Sequence, residues 1–149
     1  YDTPFQQVQE NVGGMQVATR VAVNETGTIT TITARVDSEF GDREYRFAIY
    51  ADDQGEPGAL LVESSVGNQN GNDWKTKSVA PTVLPAGWYW LAIGLSDDAQ
   101  GYVYENNAGQ TRHTAHDAVQ NGFLASWPVT SSAFTRKVTV YGTLAPAAP

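Results

Sequence analysis

Apolar and polar residues alternate with period two along most of this chain, and Gly or Pro breaks the alternation roughly every 8 to 15 residues. Helical spacing of apolar residues is hard to find. The pattern predicts eight strands, at residues 15–23, 28–36, 43–51, 59–65, 74–80, 87–95, 102–105 and 136–143. The first places Val17, Thr19, Val21 and Val23 on one face, and the second turns Ile32, Ala34 and Val36 inward. Asn24-Glu25-Thr26-Gly27 is the turn between them. The third alternates most regularly, with Tyr45, Phe47 and Ile49 opposite Arg46, Ala48 and Tyr50. A turn over 52–58 leads to the fourth, and the last strand turns Val138 and Val140 inward. Between the last two strands lie about thirty residues, long for a structureless loop in a compact domain, so this stretch is expected to be functional or to carry a small element of its own.

Eight such strands predict an all-β chain: an eight-stranded antiparallel β-sandwich of jelly-roll type over residues 1–144, followed by an Ala/Pro-rich tail or linker at 145–149. A chain of 149 residues can bury roughly 70% of its unfolded surface, which suffices for one core without a metal or disulfide. Charged residues make up only 17%, in keeping with a β domain rich in Thr, Gly and Val. The net charge of −7 disfavours nucleic acid and anionic membranes as partners. With no Cys, disulfides, thiolate chemistry and Cys-ligated zinc are excluded. No apolar run reaches the ~20 residues needed to span a bilayer, so membrane insertion is not expected. The chain opens on Tyr1-Asp2-Thr3, without an initiator Met or a signal-peptide pattern, which suggests processing or excision from a longer chain.

The run Phe47-Ala48-Ile49-Tyr50-Ala51-Asp52, continued by Gly55-Glu56-Pro57-Gly58-Ala59-Leu60-Leu61, resembles a family of extracellular and phage-associated β-sandwich domains that includes the choice-of-anchor type. The resemblance extends through Ala86-Gly87-Trp88-Tyr89-Trp90-Leu91-Ala92-Ile93 and Gly122-Phe123-Leu124-Ala125-Ser126-Trp127-Pro128 to Val138-Thr139-Val140-Tyr141-Gly142. It implies a module appended to secreted, surface-anchored or fibre-associated proteins, placed extracellularly, on a cell surface or on a virion. The motif carries no activity of its own; its Gly and Pro residues describe a turn.

Catalytic chemistry has little to work with. Neither a nucleophile beside a base nor a poised carboxylate pair is recognisable, so no enzyme activity and no cofactor are expected. His113 and His116 are three apart, which would set two ligands on one helical turn, but further ligands are not evident and exposed loop histidines are the plainer reading. Asp52, Asp53, Asp97 and Asp98 are weak Ca²⁺ candidates, against the simpler role of Asp in starting turns. Asn24-Glu25-Thr26 also fits an N-glycosylation sequon.

The aromatic residues say more. In residues 87–95, Tyr89, Leu91, Ile93 and Leu95 form the core face and direct Trp88 and Trp90 outward. Jelly-roll pairing would join the first, eighth, third and sixth strands in one sheet. Its outer face would then carry Gln16, Ala18, Arg20, Tyr141, Arg46, Ala48, Tyr50, Trp88, Trp90 and Ala92, with Tyr102, Tyr104 and Trp127 at the rim. Small residues flanked by rings and arginines predict a shallow trough for a glycan or cell-surface receptor. The bland alternative is that the long loop folds over the tryptophans as a satellite core. A second functional class is a structural subunit, a virion decoration or filament protein, in which the trough or tail packs on neighbouring subunits.

Overall fold

The computed structural model describes residues 7–9, 14–38, 43–69, 73–96, 100–128, 132–138 and 140–146. Among them are eleven strands and one helical turn. In chain order these are β1 (Gln7–Gln9), β2 (Met15–Val23), β3 (Gly27–Ser38), β4 (Arg43–Asp53), β5 (Glu56–Glu63), β6 (Gly67–Gln69), β7 (Asp73–Leu84) and β8 (Gly87–Leu95). They continue with β9 (Gln100–Ala115), α1 (Ala118–Asn121), β10 (Ser132–Val138) and β11 (Val140–Pro146).

Two antiparallel sheets pack as a sandwich. The first runs β5-β4-β8-β2-β9, and the second is β7-β3-β11. Strand β9 takes part in both, because its end pairs with β2 from Thr111 to Ala115 while its start pairs with the end of β3. The bend between these halves has a local cause. Opposite β9, Phe134 aligns with Thr111 but Arg136 aligns with Asn106, so extra β9 residues bulge out there, and Gly109 among them has a φ of 65°.

Each predicted strand is found, the last of them divided between β10 and β11; the expected pairing of residues 43–51 with 87–95 is also found, as β4 beside β8, but the rest of the predicted strand order is not. The closing strand was expected beside residues 15–23 and 43–51. Instead β10 forms a hairpin with β9, and β11 continues from it alongside β3, with Val140 opposite Ala34. The long hairpin causes this: β10 runs back along β9 to the point where β9 meets β3, and β11 continues in the same direction. Strand β8 takes the place beside β2, register Thr19 opposite Leu91. The predicted 102–105 strand is also much longer, which shortens the supposed loop to the residues after Ala115. At the other end, β11 extends to Pro146, so Ala145 and Pro146 are paired with Thr28 and Gly27; residues 147–149 lie outside the described residues.

The main core lies between the sheets. Val17, Tyr45, Phe47, Ile49, Tyr89, Leu91, Ile93 and Leu95 of the first sheet meet Ile29, Ile32, Ala34, Val36, Val79, Leu84 and Val140 of the second, with Val138 of β10. Strand β8 buries both faces from Tyr89 to Leu95, as β2 does over residues 16–19 and β4 over residues 47–50. An antiparallel strand with one solvated face would alternate, so a further layer must cover the first sheet. Phe47 is fully buried at the centre of the main core. Phe47→Ala is expected to cost about 3–5 kcal/mol in urea unfolding.

Candidate functional site

Cross-strand register arranges the outer face of the first sheet in rows. Arg46, Gly94 and Gln16 form one; Ala48, Ala92, Ala18 and Arg112 the next; Tyr50, Trp90 and Arg20 the third. The alanines make the floor expected of a trough. The chain fills that trough itself: Ala118, Phe123 and Trp127 pack on Ala18, Ala48, Tyr50, Trp90 and Ala92 as a second core. Trp90 and Tyr50 are 0% exposed and Trp127 8%, so the expectation that these rings face solvent is corrected. The cover is possible because the floor is small: a Cβ on Gly94 would stand 2.8 Å from the Ala118 Cβ and 3.2 Å from the Phe123 ring.

Hydrogen bonds fasten the cover at several points. The Tyr50 hydroxyl donates to the Leu124 carbonyl at 2.6 Å, and Gln16 donates to that hydroxyl while accepting from the Leu124 N–H. Arg46 is a structural clamp and no longer a free donor, since it bonds Glu63 at 2.7 Å, the Ser64 carbonyl at 2.7 Å and the Ala118 carbonyl at 3.5 Å. Glu63 in turn accepts from the Phe123 N–H. Leu60 donates to Ala125, tying the cover to the edge of β5. Burial pushes the Tyr50 phenol well above its ordinary pKa. The Trp127 indole N–H is buried near that phenol but makes no well-formed hydrogen bond among the described residues.

Where the cover stops, Asp52 organises the surface. Its carboxylate accepts from Arg20 at 2.8 and 3.2 Å, from the Trp90 indole N–H at 2.9 Å and from the Gly55 N–H at 3.1 Å. The turn that offers the Gly55 amide has Gln54 and Gly55 both at positive φ, as a two-residue hairpin between Asp53 and Glu56 requires. Partial burial alone would raise the Asp52 pKa; the Arg20, Gly55 and Trp90 hydrogen bonds and the Arg20 charge prevail and hold it below its ordinary value. Arg20 also lies 4.3 Å from the centre of the Trp88 ring, and Trp88 remains 49% exposed. Across Trp90, the Arg112 guanidinium sits 5.6 Å from the ring centre and grips Glu56 at 2.8 and 2.9 Å. That hydrogen bonding, with the Arg112 charge, holds the Glu56 carboxyl below its ordinary pKa against desolvation and the nearby Asp52 charge. Between the β4–β5 turn and the end of the cover is a cleft of about 700 Å³.

Other candidates fall elsewhere. Tyr141 belongs to the second sheet, where its ring meets Trp74 at 5.9 Å, because β11 pairs with β3. Tyr102 and Tyr104 sit in the first half of β9, opposite Val36 and Val138 respectively, outside the stretch of β9 that pairs with β2. His113 and His116 are not on a helix: His113 is buried against Phe134 at the end of β9, and His116 bonds the Gly122 carbonyl at 2.7 Å. Both Asp52 oxygens are engaged as described, Asp53 is exposed, and Asp97 and Asp98 lie outside the described residues. Arg112 and Glu56 did not stand out in the sequence; the outward position of Arg112 on an alternating strand was the available signal. A smaller apolar opening of about 150 Å³ between the sheets has no charged or amide side chain in its lining. No protein-family model matches the chain, and no curated protein matches it in sequence.

Two outcomes follow from this geometry. Gly94→Ala is expected to push α1 off the sheet at a cost of about 1–3 kcal/mol, seen as faster amide exchange at Phe123 and Leu124 with the main core still protected. Because the folded pKa of Asp52 is depressed, its stabilisation is complete above its unfolded value, about 3.9, and is lost as pH falls through the folded value. Asp52→Asn should therefore show a smaller drop in Tm than the parent between about pH 6 and about pH 3.

Proposed function

We propose that this chain is a non-catalytic adhesion module of an extracellular, cell-surface or virion-surface protein, holding glycans on the part of the outer face that its own cover leaves open. Trp88 carries this reading. It sits on β8, a central strand packed on both faces from the next residue onward, so its backbone is rigid. Arg20 lies against its ring and is itself held by Asp52, while about half of the residue stays in water. A fixed indole of this kind offers a flat apolar face to the C–H face of a sugar, and the guanidinium beside it can donate to a hydroxyl.

The carboxylates favour binding over hydrolysis. Asp52, Glu56 and Glu63 each face an arginine, and the pKa values of Asp52 and Glu56 are held down. A glycosidase acid needs the opposite, a carboxyl kept protonated near neutral pH. The likeness of residues 47–61 and 86–93 to choice-of-anchor domains supports a displayed, non-catalytic module and requires no cofactor.

Affinity electrophoresis through a panel of soluble polysaccharides tests the proposal. At least one polymer should retard the parent chain, and Trp88→Ala should weaken that interaction by about tenfold or more with little change in Tm. Parent mobility unchanged in every polymer would overturn it.

A further inference from the structure

The cleft beside the cover is built like a ligand site. Its volume of about 700 Å³ falls within the ordinary range for small-molecule pockets. Pro57, Trp127 and Pro128 give it apolar walls, while Gln54, Ser126 and Arg112 bring polar groups to the same space. Its frame is stiff. The Arg112–Glu56 pair spans one side, the Leu60–Ala125 hydrogen bond and the Ala59–Ser126 bridge close another, and Asp52 holds the turn that carries Gln54. The cleft lies on the other side of the buried Trp90 from the Trp88 platform. Trp90 separates the two, with Arg112 over its ring and Asp52, which fixes Arg20 beneath Trp88, on its N–H.

Charge narrows the ligand. Glu56 neutralises Arg112, and Asp53 is an exposed carboxylate in the cleft wall, so the cleft is left negative in a chain of net charge −7. An acidic sugar would meet repulsion, because Arg112, the cation in the described lining, is taken by Glu56, whereas hydroxyl or ammonium groups find acceptors.

We infer that this cleft is a second saccharide subsite, set across Trp90 from the Trp88 platform, that accepts neutral or amino-bearing units and rejects uronic acids. The inference rests on the glycan reading above. Calorimetry and amide NMR with tetrasaccharides of a neutral hexose, an amino hexose and a hexuronic acid test it, using the parent chain, Ser126→Trp and Ala133→Trp to fill the cleft, Asp53→Lys, and Trp88→Ala. The parent should bind the neutral or amino tetrasaccharide and shift the Gln54 and Ser126 amides. Either cleft-filling change should weaken this by about tenfold, which is about 1.4 kcal/mol, and Asp53→Lys should raise affinity for the hexuronic acid. Parent-like affinity in both filled variants, with binding still lost in Trp88→Ala, would overturn the subsite and leave the glycan reading standing. No binding by the parent to any of the three, together with no retardation in electrophoresis, would remove both.

Discussion

The indole N–H of Trp90 lies in a place closed to water and must be given an acceptor there. Burying such a donor unpaired costs about 1–3 kcal/mol, and Asp52 removes that cost at 2.9 Å. Three further hydrogen bonds converge on the same carboxylate, so one interaction couples a central strand, the β4–β5 turn and Arg20 of β2. The position of Arg20 under Trp88, and of Gln54 and Glu56 along the cleft, depends on that coupling. Asp52 is therefore more than the opening residue of a turn: it sets the geometry of the open part of the face.

The covered part obeys a different constraint. Ala48, Ala92, Ala18 and Gly94 leave a hollow across three strands, and an empty apolar hollow of that kind would expose a large contiguous patch. Phe123 and Trp127 fill it, and Tyr50, Gln16, Arg46 and Glu63 bond the backbone that carries them. The cover ends short of Trp88 and of the β4–β5 turn. What remains outside is an exposed ring at one side of Trp90 and a polar cleft at the other, a division of one face into a sealed and an open part.

Strand positions and their inward faces could be read directly from the chain, because period-two alternation is a local property. Tyr45, Phe47 and Ile49 are in the core as their spacing indicates, and so are Leu91, Ile93 and Leu95. The outward direction of Trp88 and Trp90 follows from the same rule. Strand order was not legible to the same degree, since it depends on a bulge in β9 around Gly109 and on how far the β9–β10 hairpin extends. Tyr141 changed sheets for that reason, and no pattern within residues 136–143 records it.

The fate of the outward rings shows the same division between local and long-range information. Alternation placed Trp88 and Trp90 on the same face, two residues apart and chemically alike. Only the tertiary fold left one half in water and sealed the other beneath residues from the far end of the chain. The sequence by itself determined which side of each strand is apolar, because a side chain's direction depends on its own backbone. Which apolar side meets solvent depends on contacts more than thirty residues away, between Trp90 and Asp52 and between Tyr50 and Leu124. Those contacts exist only once the sheets have paired and the cover has closed.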